Sequence, residues 1–158
     1  MRRRALIFAD QADARRLMWS ILNRRGYDVF SYLNPSVCPL SNIDRCPCPE
    51  GAICADVIIS DVQMSRANGI DFVRQLIEKK CKHPHIAVIS GNWTEPDMRR
   101  ARQFGCKIFE KPLAILKLIE WLDEIEATIP RERCLFDLAS SSGFQVSPFD
   151  ALGRHLKR

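Results

Sequence analysis

The chain has 158 residues and a formal net charge of +5, and 46% of its residues are hydrophobic while 27% are charged. This size and balance fit one globular domain with a single core, and they exclude collagen-like, low-complexity and highly charged disordered chains. The apolar runs are too short to cross a bilayer. The basic excess is modest and scattered, which favours a solvated basic face over a nucleic-acid-binding patch.

The first residues and the cysteines indicate the compartment. Three arginines precede a short apolar run at residues 5–9, which Asp10 interrupts. The run is too short for the apolar region of a signal peptide, so it is interpreted as a first β-strand. The 7 cysteines are an odd number, and without a secretion signal they favour free thiols in the cytoplasm over a disulfide framework.

Strands and helices are predicted to alternate along most of the chain. Continuously apolar runs predict buried parallel strands, and apolar stripes at helical spacing predict amphipathic helices between them. The predicted strands cover residues 5–9, 28–32, 56–60, 86–90 and 107–109, and the predicted helices cover residues 12–25, 69–80, 95–104 and 113–125. Gly26 marks the end of the first helix, and Thr94 and Asp97 mark the beginning of the third as a capping box. The alternation predicts an α/β fold, with helices on both faces of a doubly wound parallel sheet.

Two segments break this alternation. Residues 33–54 are rich in proline and cysteine, lack a helical period and occupy the place of the second crossover helix. We predict that a Cys/Pro-rich loop replaces that helix. Residues 128–158 follow the last predicted helix and are too few for an ordinary DNA-binding output domain. The predicted organisation is therefore one domain over residues 1–127 and a C-terminal tail over residues 128–158, without a separate output domain.

Polar residues with complementary chemistry stand at the carboxyl ends of the predicted strands, where parallel sheets bind ligands. They are Asp10, Asp61, Ser90 and Lys111. Two neighbouring carboxylates repel each other unless a cation lies between them, and a hard divalent ion such as Mg²⁺ fits such a pair. One carboxylate can then attack a phosphoryl group, while the ammonium and the hydroxyl neutralise the phosphoryl oxygens.

A known family carries these motifs in the same order and spacing. Over roughly residues 4–126 the chain resembles the receiver domain of two-component response regulators, on residues 6–10, 57–64, 68–69, 89–91 and 109–113. The resemblance implies a five-stranded sheet in the flavodoxin-like order 2-1-3-4-5. It also implies that Asp61 is the phosphoacceptor, and that Asp10, Asp61 and the main-chain carbonyl of Gln63 bind Mg²⁺. Ser90 would hydrogen-bond a phosphoryl oxygen, and Lys111 would pair with the phosphate.

The same resemblance implies partners and a mode of action. A histidine kinase or phosphotransfer protein would donate the phosphoryl group, and a downstream protein target, in a bacterial cytoplasm, would receive the signal. Transfer would be self-catalysed and followed by slow autodephosphorylation, so the chain would not be a conventional turnover enzyme. Ser90 and residue 108 would be switch positions, Pro112 would follow a cis peptide bond, and a homodimer is compatible with the family.

Two departures from the family pattern support an alternative function. Receivers usually carry an acidic pair at the end of the first strand, and the first member here is Ala9. The aromatic switch residue of the family is replaced by Ile108. The alternative is a degenerate receiver that acts as a protein-interaction module without being phosphorylated.

The cysteines support a third hypothesis. Cys38, Cys46, Cys48 and Cys54 fall within the predicted loop and can be interpreted as a zinc site or a reversible disulfide, which would make the chain a metal or redox sensor. The spacing lacks the paired C-x-x-C of common structural zinc sites, and Cys54 is also interpretable as a buried core thiol. Cys81, Cys106 and Cys134 show no partner at a suggestive spacing. Three further acidic residues are interpreted as capping or surface residues, namely Asp13, Asp56 and Asp71.

Overall fold

The computed structural model describes residues 2–38, 44–82 and 85–136 of the chain. Its elements are β1 (Arg3–Phe8), α1 (Ala12–Arg24), β2 (Tyr27–Tyr32), a 3₁₀ turn (Pro35–Val37), β3 (Ala52–Ile53), β4 (Val57–Asp61), β5 (Gln63–Met64), β6 (Ala67–Asn68), α2 (Gly69–Glu78), β7 (His85–Ser90), α3 (Glu95–Gln103), β8 (Lys107–Glu110), α4 (Ile115–Glu126) and β9 (Cys134–Leu135). The five strands and four helices predicted from the sequence are all present. Among the described helices, every one falls short of the length and hydropathy that a membrane-spanning segment needs.

A five-stranded parallel sheet forms the centre of the fold. Its strand order is β2-β1-β4-β7-β8. Counted over these five strands the order is 2-1-3-4-5, so the predicted fold class and strand order are confirmed. The carboxyl ends of the strands lie along one edge, which is where the polar residues at the strand ends were expected to meet.

Helices cover both faces of this sheet because successive strand residues point to opposite sides. Leu6 and Ile58 belong to a core cluster with residues of α2 and α3. Ile7 and Ile59 belong to a second cluster with residues of α1 and α4. Strands buried on both faces explain the continuously apolar runs in the sequence.

The helix ends follow the predicted signals. Gly26 has a φ of 85°, a left-handed conformation that suits glycine directly after α1. The Thr94 side chain accepts a hydrogen bond from the Asp97 main-chain N–H at 3.3 Å and so caps α3. The Asn68 side chain caps α2 in the same way, by accepting hydrogen bonds from the main-chain N–H groups of Ile70 and Asp71.

The segment between β2 and β4 contains little regular structure in its described part. Residues 33–38 and 44–56 include the 3₁₀ turn and the two-residue strand β3. Residues 39–43 lie outside the described residues, so the replacement of the crossover helix by a loop stays a prediction. β3 pairs in parallel with β9, which joins this segment to the residues that follow α4. The division at residue 127 and the nature of residues 137–158 also stay predictions.

Asp56 is buried, and its interpretation as a capping or surface residue was wrong. The Asp56 side chain is 0% exposed, and Arg133 contacts its two carboxylate oxygens through Nε and Nη2, both at 2.6 Å. The Arg4 main-chain N–H donates a third hydrogen bond at 2.8 Å. The misinterpretation arose because Arg133 is distant in the sequence. Asp71 also has a partner from another element, since Arg100 of α3 forms an ion pair with it.

Candidate functional site

Asp61 is the last residue of β4, and its carboxylate is buried beside Lys111. The side chain is 1% exposed, and its Oδ1 lies 3.3 Å from the Lys111 Nζ. Neither carboxylate oxygen accepts a hydrogen bond of good geometry from a described residue. A buried carboxylate without hydrogen bonds is costly, because it has lost its hydration without full replacement. The site therefore has capacity to bind further positive charge.

The electrostatics at Asp61 lead to the same conclusion. Burial raises the pKa of the Asp61 carboxyl above its usual value, and the nearby Lys111 ammonium opposes this rise without cancelling it. The negative charge of Asp10 raises the pKa of Asp61 further, so the two carboxylates are within electrostatic reach of each other. One ammonium does not compensate both carboxylates, and a divalent cation would.

Asp10 follows β1 and binds the turn between β5 and β6. Its Oδ2 accepts hydrogen bonds from the Ser65 main-chain N–H at 3.0 Å and from the Ser65 hydroxyl at 2.9 Å. Helix α1 has Gln11 as its N-cap, with no side-chain capping hydrogen bond. Ser65 was not singled out from the sequence, because β5 and β6 are too short to produce a periodic pattern.

Ser90 ends β7 and is held by two hydrogen bonds. Its hydroxyl donates to the Gln63 Oε1 at 2.7 Å and accepts from the Asn92 main-chain N–H at 3.0 Å. The family resemblance implied that the main-chain carbonyl of Gln63 binds Mg²⁺, but the sequence did not predict the hydrogen bond between its side chain and Ser90. The strand end after β7 is thereby connected to the residues that follow Asp61.

Lys111 is positioned by the main chain at the end of β8. Its N–H donates to the Ser90 carbonyl at 2.9 Å. The Lys111–Pro112 peptide bond is cis, as the family resemblance implied. Lys111 and Ser90 therefore lie side by side at the same edge of the sheet as Asp61.

Gly69 packs against the main chain of Asp61 so closely that a side chain is excluded. A Cβ at this position would lie 2.0 Å from the Asp61 carbonyl oxygen and 2.8 Å from the Ser60 Oγ. The Gly69 N–H donates to the Val62 carbonyl at 2.8 Å, and the Val62 N–H donates to the Ile89 carbonyl at 2.9 Å. The beginning of α2 is thus fixed directly against the residue expected to react.

The two departures from the family pattern occupy different surroundings. Ala9 is fully buried in the core. Ile108 is half-buried and packs against the other core cluster. In the next residue along β8, the Phe109 carbonyl accepts a hydrogen bond from the Trp93 indole N–H at 3.0 Å.

A second cluster of reactive side chains lies away from this edge. The sulfurs of Cys46, Cys48 and Cys54 lie within 4.8 Å of one another. Cys81 packs against the same core cluster as these three thiols, although its sequence spacing suggested no partner. Cys38, the fourth predicted member, is buried and does not belong to the three-sulfur group.

Comparison with known proteins places the fold in a family. A family model described as the response regulator receiver domain matches residues 5–123. No protein of curated function gives a significant sequence match.

Several of the solved structures that resemble the chain are receiver domains. The chemotaxis protein CheY4 of Vibrio cholerae is 19% identical, with a TM-score of 0.61 over 79% of this chain and 99% of that one. A response regulator receiver protein from Pseudomonas putida is 22% identical, with a TM-score of 0.61 over 78% and 98%. The N-terminal domain of an uncharacterized protein from Wolinella succinogenes is 23% identical, with a TM-score of 0.65 over 79% and 94%. At these identities the structural likeness establishes the fold alone. Because the family model matches most of the length of the chain, the chain belongs to the response regulator receiver domain family.

Proposed function

We propose that this chain is a phosphoacceptor switch, in which Asp61 receives a phosphoryl group and changes the affinity of a protein partner. The phosphoryl group comes from a phosphohistidine of a histidine kinase or phosphotransfer protein in the cytoplasm. The observation that supports this most is the buried Asp61 carboxylate, which accepts no hydrogen bond of good geometry from a described residue and has the Lys111 ammonium at 3.3 Å.

The chemistry assigned to Asp61 is nucleophilic. A carboxylate oxygen of Asp61 forms a bond to phosphorus as the phosphorus–nitrogen bond of the donor phosphohistidine breaks, and the imidazole keeps the electron pair of that bond. The product is an aspartyl phosphate. Lys111 balances negative charge on the phosphoryl oxygens during transfer. Burial of Asp61 keeps water away from the reacting atoms.

The residues at this edge fit a magnesium ion. Asp10, Asp61 and the main-chain carbonyl of Gln63 would hold it, since Mg²⁺ prefers oxygen ligands and few carboxylates. When bound, Mg²⁺ supplies positive charge to the phosphoryl oxygens and to the two carboxylates. Because the Asp61 oxygens accept no hydrogen bond of good geometry from a described residue, they have capacity to bind such a cation beside the Lys111 ammonium.

Ser90 is the proposed sensor of the phosphoryl group. Its hydroxyl donates a hydrogen bond to the Gln63 side chain and accepts one from the Asn92 main chain. Exchange of the Gln63 side chain for a phosphoryl oxygen would move the loop that leads into α3. Ile108 lies beside Val88 in the adjacent strand, so it is the second proposed switch position. A downstream protein would bind the altered surface.

Labelling with a small phosphodonor tests this function. The protein is incubated with acetyl phosphate with and without Mg²⁺, and its intact mass is measured. We expect an added phosphoryl mass in wild type only when Mg²⁺ is present, and none in Asp61→Asn. Equal labelling of Asp61→Asn would show that the reacting residue is wrong, and unlabelled wild type would exclude the phosphoacceptor function.

A non-phosphorylated interaction module is the second candidate function. Ala9 favours it, because a buried methyl group stands where the family usually has an acidic residue. A module of this kind would bind its partner equally well before and after treatment with acetyl phosphate. If wild type stays unmodified while an ordinary receiver is labelled under the same conditions, this second function replaces the first.

A further inference from the structure

Four cysteines converge beneath the carboxyl end of α2, away from the edge that carries Asp61. Cys46, Cys48 and Cys54 come from the segment before β4, and Cys81 follows α2 directly. Cys54 is fully buried, and the other three are half-buried against the same core cluster. Nothing in the proposed phosphoryl transfer uses this cluster.

The sulfur positions are close to those that a single tetrahedral ion requires. Four thiolates bound to one Zn²⁺ at about 2.3 Å hold their sulfurs about 3.8 Å apart. The sulfurs of Cys46 and Cys54 lie 3.7 Å apart, and those of Cys48 and Cys54 lie 2.9 Å apart. Binding an ion would therefore move Cys48 slightly outward and leave Cys46 and Cys54 nearly in place.

Cys81 completes the set as the fourth ligand. Its side chain packs against the same core cluster as the other three thiols. Its main chain is fixed by a hydrogen bond from the Cys81 N–H to the Leu76 carbonyl at 3.0 Å, while Lys80 has a φ of 57°. This is the pattern of a Schellman motif, with a lysine in the left-handed position that glycine usually occupies. A strained conformation next to a cluster of thiols indicates that the position of Cys81 is constrained.

The main chain also joins the two parts of the cluster. The Cys46 N–H donates to the Lys79 carbonyl at 2.9 Å. The loop that carries Cys46 and Cys48 is thus attached to the end of the helix that carries Cys81. This main-chain bond holds the ligand-bearing segments next to each other independently of the thiols, which lowers the entropic cost of forming a site.

We propose that Cys46, Cys48, Cys54 and Cys81 bind one Zn²⁺ as four thiolates. A disulfide would join only two thiols, whereas the sulfurs of Cys46, Cys48 and Cys54 all lie within 4.8 Å of one another, and one shared ion would satisfy these three together with Cys81. Four soft sulfur ligands select zinc over the hard Mg²⁺ that suits Asp61. Each thiol releases its proton to solvent when it binds, and no oxidation or reduction takes place.

The site would have a structural role in this fold. It would fasten the irregular segment before β4 to the carboxyl end of α2, in the place where the described residues show no crossover helix. The amino end of the same helix lies against Asp61 through Gly69. The zinc proposal does not depend on phosphorylation, so failure of either proposal leaves the other standing.

Metal analysis of the wild-type full chain is the primary test. The protein is produced in zinc-containing medium and purified under reducing conditions without chelators or metal-affinity resins. Elemental analysis is expected to give one zinc per chain, and zinc-edge X-ray absorption is expected to show four sulfurs at about 2.3 Å. Metal-free protein, bound iron in place of zinc, a sulfur count below four, or a disulfide among these cysteines would overturn the proposal.

Single substitutions test the ligand set. Cys48→Ser and Cys81→Ser should lower zinc content from one per chain to a small fraction after dialysis against a competing chelator. Cys106→Ser is the matched control, since Cys106 is half-buried against the same core cluster but is not among the four. The control should keep its zinc. Wild-type zinc retention by Cys81→Ser would contradict the assignment of the fourth ligand.

Discussion

The ammonium of Lys111 lies 3.3 Å from the carboxylate of Asp61, although the two residues end strands that do not pair with each other. β7 lies between β4 and β8, so the Lys111 side chain spans the end of β7 to reach Asp61. The main chain at Lys111 is fixed to Ser90. The sheet order therefore determines the ion pair on which the proposed chemistry depends.

Replacing Lys111 tests this relationship. Lys111→Met removes the positive charge and keeps much of the side-chain volume, and it should slow phosphorylation by acetyl phosphate on the order of 10²-fold. Lys107→Met is the matched control, because Lys107 begins β8, the strand that Lys111 follows, and is exposed. Initial rates of labelling measure both. A rate for Lys111→Met equal to that of the control would remove Lys111 from the mechanism.

The contact between Gly69 and Asp61 predicts a severe packing conflict. In Gly69→Ala the new methyl group would lie 2.0 Å from the Asp61 carbonyl oxygen, so we expect the free energy of unfolding to fall by at least about 3 kcal/mol. Gly91→Ala is the control, because its methyl group would lie 3.6 Å from the nearest atom, the Lys111 Cβ. Urea denaturation measures both variants. Similar stabilities for the two would contradict the close approach.

The buried ion pair of Asp56 and Arg133 predicts that residues after α4 stabilise the domain. Arg133→Ala removes two hydrogen bonds from the buried Asp56 carboxylate and leaves the Arg4 N–H as its donor among the described residues, so the free energy of unfolding should fall by about 3 kcal/mol. Arg131→Ala, at an exposed position two residues earlier, should change it by less than about 0.5 kcal/mol. Chemical denaturation checks both. An Arg133→Ala protein as stable as wild type would show that the pair contributes no net stability.

The lowered pKa of His85 predicts part of the dependence of the free energy of unfolding on pH. Burial lowers the pKa of His85 in the folded protein, and the charge of Asp56 opposes this only partly. In the unfolded chain a histidine has a pKa of about 6.5, so the unfolded chain binds the proton more readily than the folded protein. The stability that the neutral His85 contributes is therefore present above that pH and is lost as the pH falls below it. His85→Gln should show a shallower decline of the urea midpoint between about pH 7.5 and pH 5.5 than wild type. Parallel curves for the two proteins would exclude this role.

The fold was predictable because its long elements bury continuous surfaces. The strands β1, β4 and β7 each contain an unbroken run of three or four apolar residues, and α2 carries its apolar residues on one side. The positions of the strand ends follow from these runs, and the strand ends place Asp61 and Lys111 close to each other. These features depend on residues that are adjacent or at a fixed spacing in the chain.

The features that the sequence did not predict depend on contacts between distant residues or on very short strands. β3 and β9 have two residues each, too few for any periodic pattern. Asp56 pairs with Arg133, and Cys81 packs against the same core cluster as Cys54, although each pair is far apart in the chain. Ser65 donates hydrogen bonds to Asp10 from the turn of a hairpin whose two strands have two residues each. Pairings of this kind follow from the tertiary fold and leave no local signal.

Mapping the phosphorylated residue tests the central claim most directly. Wild-type protein is treated with acetyl phosphate and Mg²⁺, the acyl phosphate is reduced with borohydride, and the modified residue is identified by peptide mass spectrometry. Reduction converts a phosphorylated aspartate to homoserine, and we expect homoserine at position 61 alone. Modification at Asp10 or Asp56 with position 61 unchanged would contradict the account.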